Sequence, residues 1–250
     1  MSELPLPPLE FRRIVGPTDP KLFDNPTGQP VFGDLREEAY STVLDFGCGC
    51  GRVARQLIQQ HVRPRRYLGI DRHKGMVEWC QANLMPWAPG FDFQHHDVFH
   101  EILNPQGTPG HLPLPAADGE VTLFIAYSVF THLLEADVEF YLREVGRILS
   151  HGGVAVTTWF LFDKRNFPMM QEFQNALFIN ALDPTNAVIV DRGWLSTQIS
   201  SAGLAMTRIT PPGIRGFQWT IHLEPEREDR IPLTFPEDDA PRGLARPPIR

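Results

Sequence analysis

Apolar positions in this chain fall into short continuous runs separated by longer stretches with helical spacing. Thr42–Phe46 (TVLDF), Tyr67–Ile70 (YLGI), Phe91–Gln94, Val121–Tyr127 (VTLFIAY) and Val154–Leu161 (VAVTTWFL) have the length and the aromatic and β-branched content of buried strands. Between them, Gly51–His61, Gly75–Asn83 and Ala136–Leu149 predict helices. The last shows apolar residues at Val138, Tyr141, Leu142, Val145, Ile148 and Leu149 and is stopped by His151-Gly152-Gly153. Strand and helix alternating in short units predict an α/β fold with a mostly parallel sheet covered on both faces. Further helices are predicted over Met169–Ala181 and near Trp194–Ala202. Strands at Leu204–Ile209 and Phe217–Leu223 then pair as a hairpin, the last strand antiparallel to the rest.

Proline punctuates both ends. Pro5, Pro7, Pro8, Pro17, Pro20, Pro26 and Pro30 forbid a long helix in residues 1–30, yet apolar side chains are threaded among them. Those residues are expected to form an extended arm or lid packed on a single domain spanning 31–224. Residues 225–250, rich in proline, arginine and acids, are expected to be mostly disordered. A net charge of −7 disfavours nucleic acid or an anionic membrane as partner, since each calls for a basic face. No apolar run is long enough to span a bilayer, and the first residues have no leader-like pattern, so a cytoplasmic location is expected. The three cysteines are too few and too clustered for a disulfide framework.

The chemistry concentrates in Val43-Leu44-Asp45-Phe46-Gly47-Cys48-Gly49-Cys50-Gly51-Arg52, where a buried strand enters a loop with glycine at alternate positions and then a helix. Such a loop lets a ligand approach the backbone, and the helix start offers unpaired N–H groups. The dinucleotide fingerprint G-x-G-x-x-G fits poorly, because Arg52 stands where its third glycine would fall.

Asp-x-Gly-x-Gly-x-Gly after a first strand instead resembles the first motif of class I S-adenosylmethionine-dependent methyltransferases. Three further landmarks follow in order. Asp71 ends the second run, Asp97-Val98 follows the third, and Ala126-Tyr127-Ser128-Val129-Phe130-Thr131-His132-Leu133 resembles the S-V-F-T-H-L turn of small-molecule methyltransferases. The resemblance covers roughly residues 40–160. It implies a doubly wound, seven-stranded, mostly parallel sheet with an antiparallel last strand, the Rossmann-like methyltransferase fold, and S-adenosylmethionine as cofactor. It further implies that Asp45, Gly47, Cys48, Gly49 and Arg52 border the methionine end, Asp71 the ribose, Asp97 and Val98 the adenine, with Arg72, Ala126 and Tyr127 also among the cofactor-binding residues. Every landmark lies at a strand's carboxyl end, where open α/β sheets bind ligands.

Bland readings stand beside these. Asp71 suits a helix N-cap as well as a ribose, and Arg52 suits a solvated helix face as well as a carboxylate. His95, His96 and His100 around Asp97 suggest a metal, but neighbouring strand residues face opposite ways, and no metal site is expected. Cys48 and Cys50 lack a second pair at ligand spacing and read as small packing side chains. His132 is the candidate general base, titrating near neutrality at the rim; the alternative is a residue that orients the turn. Phe32, Trp159, Phe162 and Asp163 are candidate acceptor-pocket residues, with the acceptor site elaborated near 162–193. The expected function is methyl transfer by in-line displacement to an oxygen or nitrogen of a small molecule such as a sugar, lipid-linked or natural-product acceptor. An NAD(P)-dependent oxidoreductase and a non-catalytic S-adenosylmethionine-binding regulator are the alternatives.

Overall fold

The computed structural model describes residues 4–214, 217–229, 231 and 233–236. Along the chain run helix α1 (Leu9–Ile14), strand β1 (Thr42–Phe46), α2 (Arg52–Gln59), β2 (Arg66–Asp71), α3 (Lys74–Asn83), β3 (Phe91–His95) and β4 (Val121–Ala126). There follow α4 (Glu135–Ile148), β5 (Leu149–Phe162), β6 (Ala176–Phe178), β7 (Val188–Asp191), α5 (Arg192–Ser201), β8 (Leu204–Thr210) and β9 (Trp219–Pro225). The fold is α/β and Rossmann-like, its sheet mostly parallel with antiparallel closing strands.

The chain divides into two compact units where one domain was expected. The first runs through Tyr127 and includes Arg147–Val154; the second comprises Ser128–Gly146 and the chain from Ala155 onward. In the first, the strand order is β3-β2-β1-β4, every neighbour parallel. Asp45 lies within β1 beside Gly69 and Ile125, Asp71 ends β2 beside His95, and Asp97 follows β3. The core here is aliphatic and aromatic: Leu44, Leu57, Ile70, Phe93 and Phe124 are fully buried. Burial of this kind contributes roughly 1.5–3 kcal/mol per large side chain.

In the second unit β5 pairs parallel with β7 and antiparallel with β9, β6 is antiparallel to β7, and β8 to β9. The described strands number nine where seven were expected, because β6 and β7 occupy the segment before α5. The expected helix over Met169–Ala181 is absent. Its apolar residues do not share a buried face: Met169 and Phe173 are largely exposed, and Ala176–Phe178 pairs with β7 instead. The expectation for 225–250 falls largely outside the described residues. Within it, Leu233 donates its N–H to Met206 O at 3.0 Å and the Phe235 ring meets Trp219 edge-on at 6.1 Å.

Candidate functional site

At the end of β1 the chain turns through three left-handed glycines, Gly47 (φ 77°), Gly49 (φ 53°) and Gly51 (φ 78°). Left-handed backbone costs other residues roughly 1–2 kcal/mol each. Space excludes side chains as well: a Cβ on Gly51 would lie 2.5 Å from Leu84 Cδ1, and one on Gly49 2.6 Å from Val15 Cγ1. The Gly47 and Cys48 N–H groups both donate to Ile70 O, at 2.8 and 3.0 Å, tying the loop to β2.

The acids are held in three different ways. Asp71 accepts the Gly49 N–H at 2.8 Å and the His73 N–H at 2.7 Å; burial pushes its carboxyl up, and those two donors oppose the shift. One side chain thus joins the glycine loop to the start of α3. Asp97 is exposed, accepting from Asn104 at 3.0 Å and Thr108 at 3.4 Å, and the Asn104 amide holds it below the usual carboxylate range. Asp45 departs from expectation. It is buried beneath the loop and accepts the Tyr67 hydroxyl at 2.7 Å, so it braces the site from below; burial pushes it up to about 7.

The Arg52 guanidinium lies 5.0 Å from the centre of the Tyr127 ring. Val98 follows in a bridge with Thr108, and Arg72 O receives the His95 ring at 3.0 Å. His96 is buried edge-on against Phe46 at 5.7 Å, and burial pulls it down to about 4. The two neighbouring histidines therefore part company. Cys48, Cys50 and Cys80 are all buried free thiols, pushed up by that burial.

Phe32 does not belong here. Its N–H and C=O both bind the Tyr40 hydroxyl, at 2.7 and 3.0 Å, and Val31 N–H binds Gln60 at the far end of α2. That places it by the amino end of β1, away from the strand tips. The arm reaches the loop through other residues: Leu6, Phe11 and Val15 pack against Phe23, Cys50 and Met76.

In the second unit Ser128 is left-handed (φ 60°), a strained conformation for a residue with a side chain. Its N–H donates to Thr158 Oγ1 at 2.7 Å and its hydroxyl accepts from Gln218 at 2.5 Å, which hold the turn. His132 is exposed, with Nδ1 2.8 Å from Thr185 O. A carbonyl only accepts, so Nδ1 carries a proton in this contact.

Trp159 and Phe162 are core residues and not pocket walls. Trp159 is fully buried, stacked on Phe130 at 4.3 Å, with its indole N–H given to Thr157; Phe162 is buried against Phe167. Asp163 does border a cleft of about 540 Å³ at the carboxyl ends of β5 and β7, together with Arg165, Phe167, Met170, Arg192 and Phe235. Its carboxylate takes two N–H bonds from the Arg165 side chain group, at 3.0 and 2.6 Å, which hold it below its usual range.

Residues 43–153 match the methyltransferase domain family. Over that stretch the chain carries a methyltransferase domain. Solved structures share its fold. An S-adenosylmethionine-dependent methyltransferase from Mesorhizobium loti is 16% identical, with a TM-score of 0.51, over 76% of this chain and 93% of that one. A geranyl diphosphate C-methyltransferase from Streptomyces coelicolor is 14% identical (TM-score 0.51, 74% and 71% covered). An O-methyltransferase of neocarzinostatin biosynthesis is 15% identical (0.51, 77% and 51% covered). At such identities these likenesses concern the fold alone.

The methyltransferase domain's residues fit the cofactor. Its loop turns through three left-handed glycines, and it carries a half-buried carboxylate at one strand tip and an exposed one just past the next. Tyr67, which supports Asp45, was missed by sequence reading. A strand tyrosine opposite a motif aspartate is visible only once the register is known.

Proposed function

We propose that this methyltransferase moves a methyl group from S-adenosylmethionine to an oxygen or nitrogen of a small acceptor with an apolar body. In this reading the first unit holds the cofactor. The backbone at Gly47, Cys48 and Gly49 lies along the methionine part, with Arg52 serving its carboxylate. Asp71 accepts from the ribose hydroxyls through lone pairs its N–H partners leave, beside Arg72. Asp97 and Val98 take the adenine, and Ala126 and Tyr127 border it. The observation that carries the acceptor class is the cleft at the tips of β5 and β7. Its volume falls in the range of small-molecule sites, and Phe167, Pro168, Met170 and Phe235 line it beside the paired Asp163 and Arg165. Neighbours of the same fold hold a naphthoic acid and geranyl diphosphate, both with apolar bodies.

When bound, S-adenosylmethionine supplies a methyl group already activated on a sulfonium. The chain's task is therefore alignment, which is worth about 7–11 kcal/mol of barrier when the reacting atoms sit near 3 Å. Exclusion of water adds to it, since charge disperses as the methyl moves. For a hydroxyl acceptor His132 takes the proton at Nε2, while Thr185 O fixes the ring by accepting from Nδ1. An amine acceptor loses its proton to solvent.

The test is calorimetric titration with S-adenosylhomocysteine and NADH, followed by turnover against aromatic and aliphatic alcohols and amines of increasing apolar size. Binding of the first ligand and turnover that rises with apolar size are expected. Preferential NADH binding, or turnover confined to strongly polar acceptors, overturns the reading.

A further inference from the structure

Arg55 lies one turn beyond the glycine loop on α2 and is 6% exposed, deep burial for a permanent cation. It is fully engaged. Nε donates to Pro5 O at 3.0 Å, one terminal nitrogen to Leu4 O at 2.9 Å, and the other to Phe23 O at 3.0 Å and to the Asp24 carboxylate. These acceptors come from two places in the chain, residues 4–5 and 23–24, so a single side chain fastens both ends of one segment. Neighbouring α2 side chains reinforce the second fastening: Gln59 donates to Asp24 at 3.0 Å and Gln56 to Leu22 O at 3.1 Å.

Between its fastened ends the segment is stiff and lightly seated. Arg12 bonds Pro7 O at 3.1 Å and also Thr18 O, closing α1 into a compact piece. Prolines at 5, 7, 8, 17 and 20 limit internal bending. What touches the loop is apolar. Val15 fills the space that a Cβ on Gly49 would take, and Phe11 meets the His73 ring edge-on at 5.6 Å. His73 in turn caps α3 by accepting the Met76 N–H and stands two residues after Asp71. The seated face thus touches the glycine loop and the start of α3, the two pieces that Asp71 joins.

We propose that residues 4–24 are a strap that closes S-adenosylmethionine in at the glycine loop, and that Arg55 is the positioning residue that keeps the strap in place. The proposal rests on the placement of the cofactor at that loop. Charge-assisted bonds hold the ends and contacts without hydrogen bonds hold the middle, so α1 lifts while the ends stay fixed. Loss of Arg55 strands several backbone carbonyls and releases both ends together.

The test is hydrogen exchange on the intact protein with and without S-adenosylhomocysteine, with stopped-flow dissociation of that ligand from wild type, Arg55→Met and a remote core control, Leu195→Ala. Added ligand is expected to protect residues 9–15 as well as 47–52. Arg55→Met is expected to speed dissociation about tenfold or more, while Leu195→Ala changes it less than twofold despite its lower Tm. Protection of 47–52 without 9–15, or equal dissociation from the two variants, overturns the strap and leaves the loop assignment standing. Binding that protects neither stretch overturns both. If Arg55→Met fails to fold, exchange on the wild type decides.

Discussion

The tips of β1 and β2 and the tips of β5 and β7 both end in aspartates, yet the two ends are built from different materials. At the first, backbone does the shaping: left-handed glycines packed so closely that a Cβ would collide, and a carboxylate fixed by two main-chain N–H groups. At the second, side chains do it. Phe167, Met170 and Phe235 line the cleft, and Asp163 is held largely by the fork of an exposed arginine. Backbone shapes tolerate few substitutions, whereas side-chain walls change shape with every one. The first end is thus suited to one unchanging ligand, the second to a ligand whose shape follows its side-chain walls.

The contrast can be broken at several points. The largest effect is expected from Gly49→Leu, which combines left-handed strain with a collision at Val15; S-adenosylhomocysteine affinity should fall at least about 100-fold by calorimetry. His132→Ala should lower kcat for a hydroxyl acceptor about 100-fold and leave cofactor affinity unchanged; equal turnover would reduce His132 to an architectural residue. Asp71→Asn keeps the shape but removes the charge proposed to receive the ribose, and a loss of about tenfold in affinity is expected.

Asp45 supplies a pH test. Its folded pKa of about 7 lies above its unfolded value near 3.9, so its contribution to stability is fully present below pH 4 and is lost as pH rises through 7. In Asp45→Asn that decline should vanish from denaturation curves taken between pH 5 and 8; an unchanged slope would mean that Asp45 is not the group responsible. The smallest effect belongs to Arg165→Met. Its side chain is 73% exposed, so removal of the pair should cost at most about 1 kcal/mol in urea unfolding.

Much of the first end was legible from the chain alone. Alternating glycines and β-branched runs speak through local sterics, so β1 to β4 and the turns after them follow from spacing. Asp45 did not follow. Its motif position suggested the rim, but the pleat turns it inward onto Tyr67, a partner 22 positions away that only strand register reveals. Trp159 and Phe162 failed for a related reason: aromatic residues near a strand end suit a pocket or a core equally well, and packing decides. The expected helix at Met169–Ala181 failed because helical spacing of apolar residues means little where no surface covers them. Phe32 was misplaced because sequence distance from the loop says nothing about which end of the strands the arm visits.

The stretch that matches the methyltransferase family starts at residue 43, yet the acceptors for Arg55 all lie before it. Family boundaries and folding boundaries therefore differ in this chain. A recombinant fragment trimmed to the matched stretch would lose every acceptor of the Arg55 guanidinium and bare the apolar face on which Leu6, Phe11 and Val15 pack, and so would be a poor starting point for crystallisation or assay.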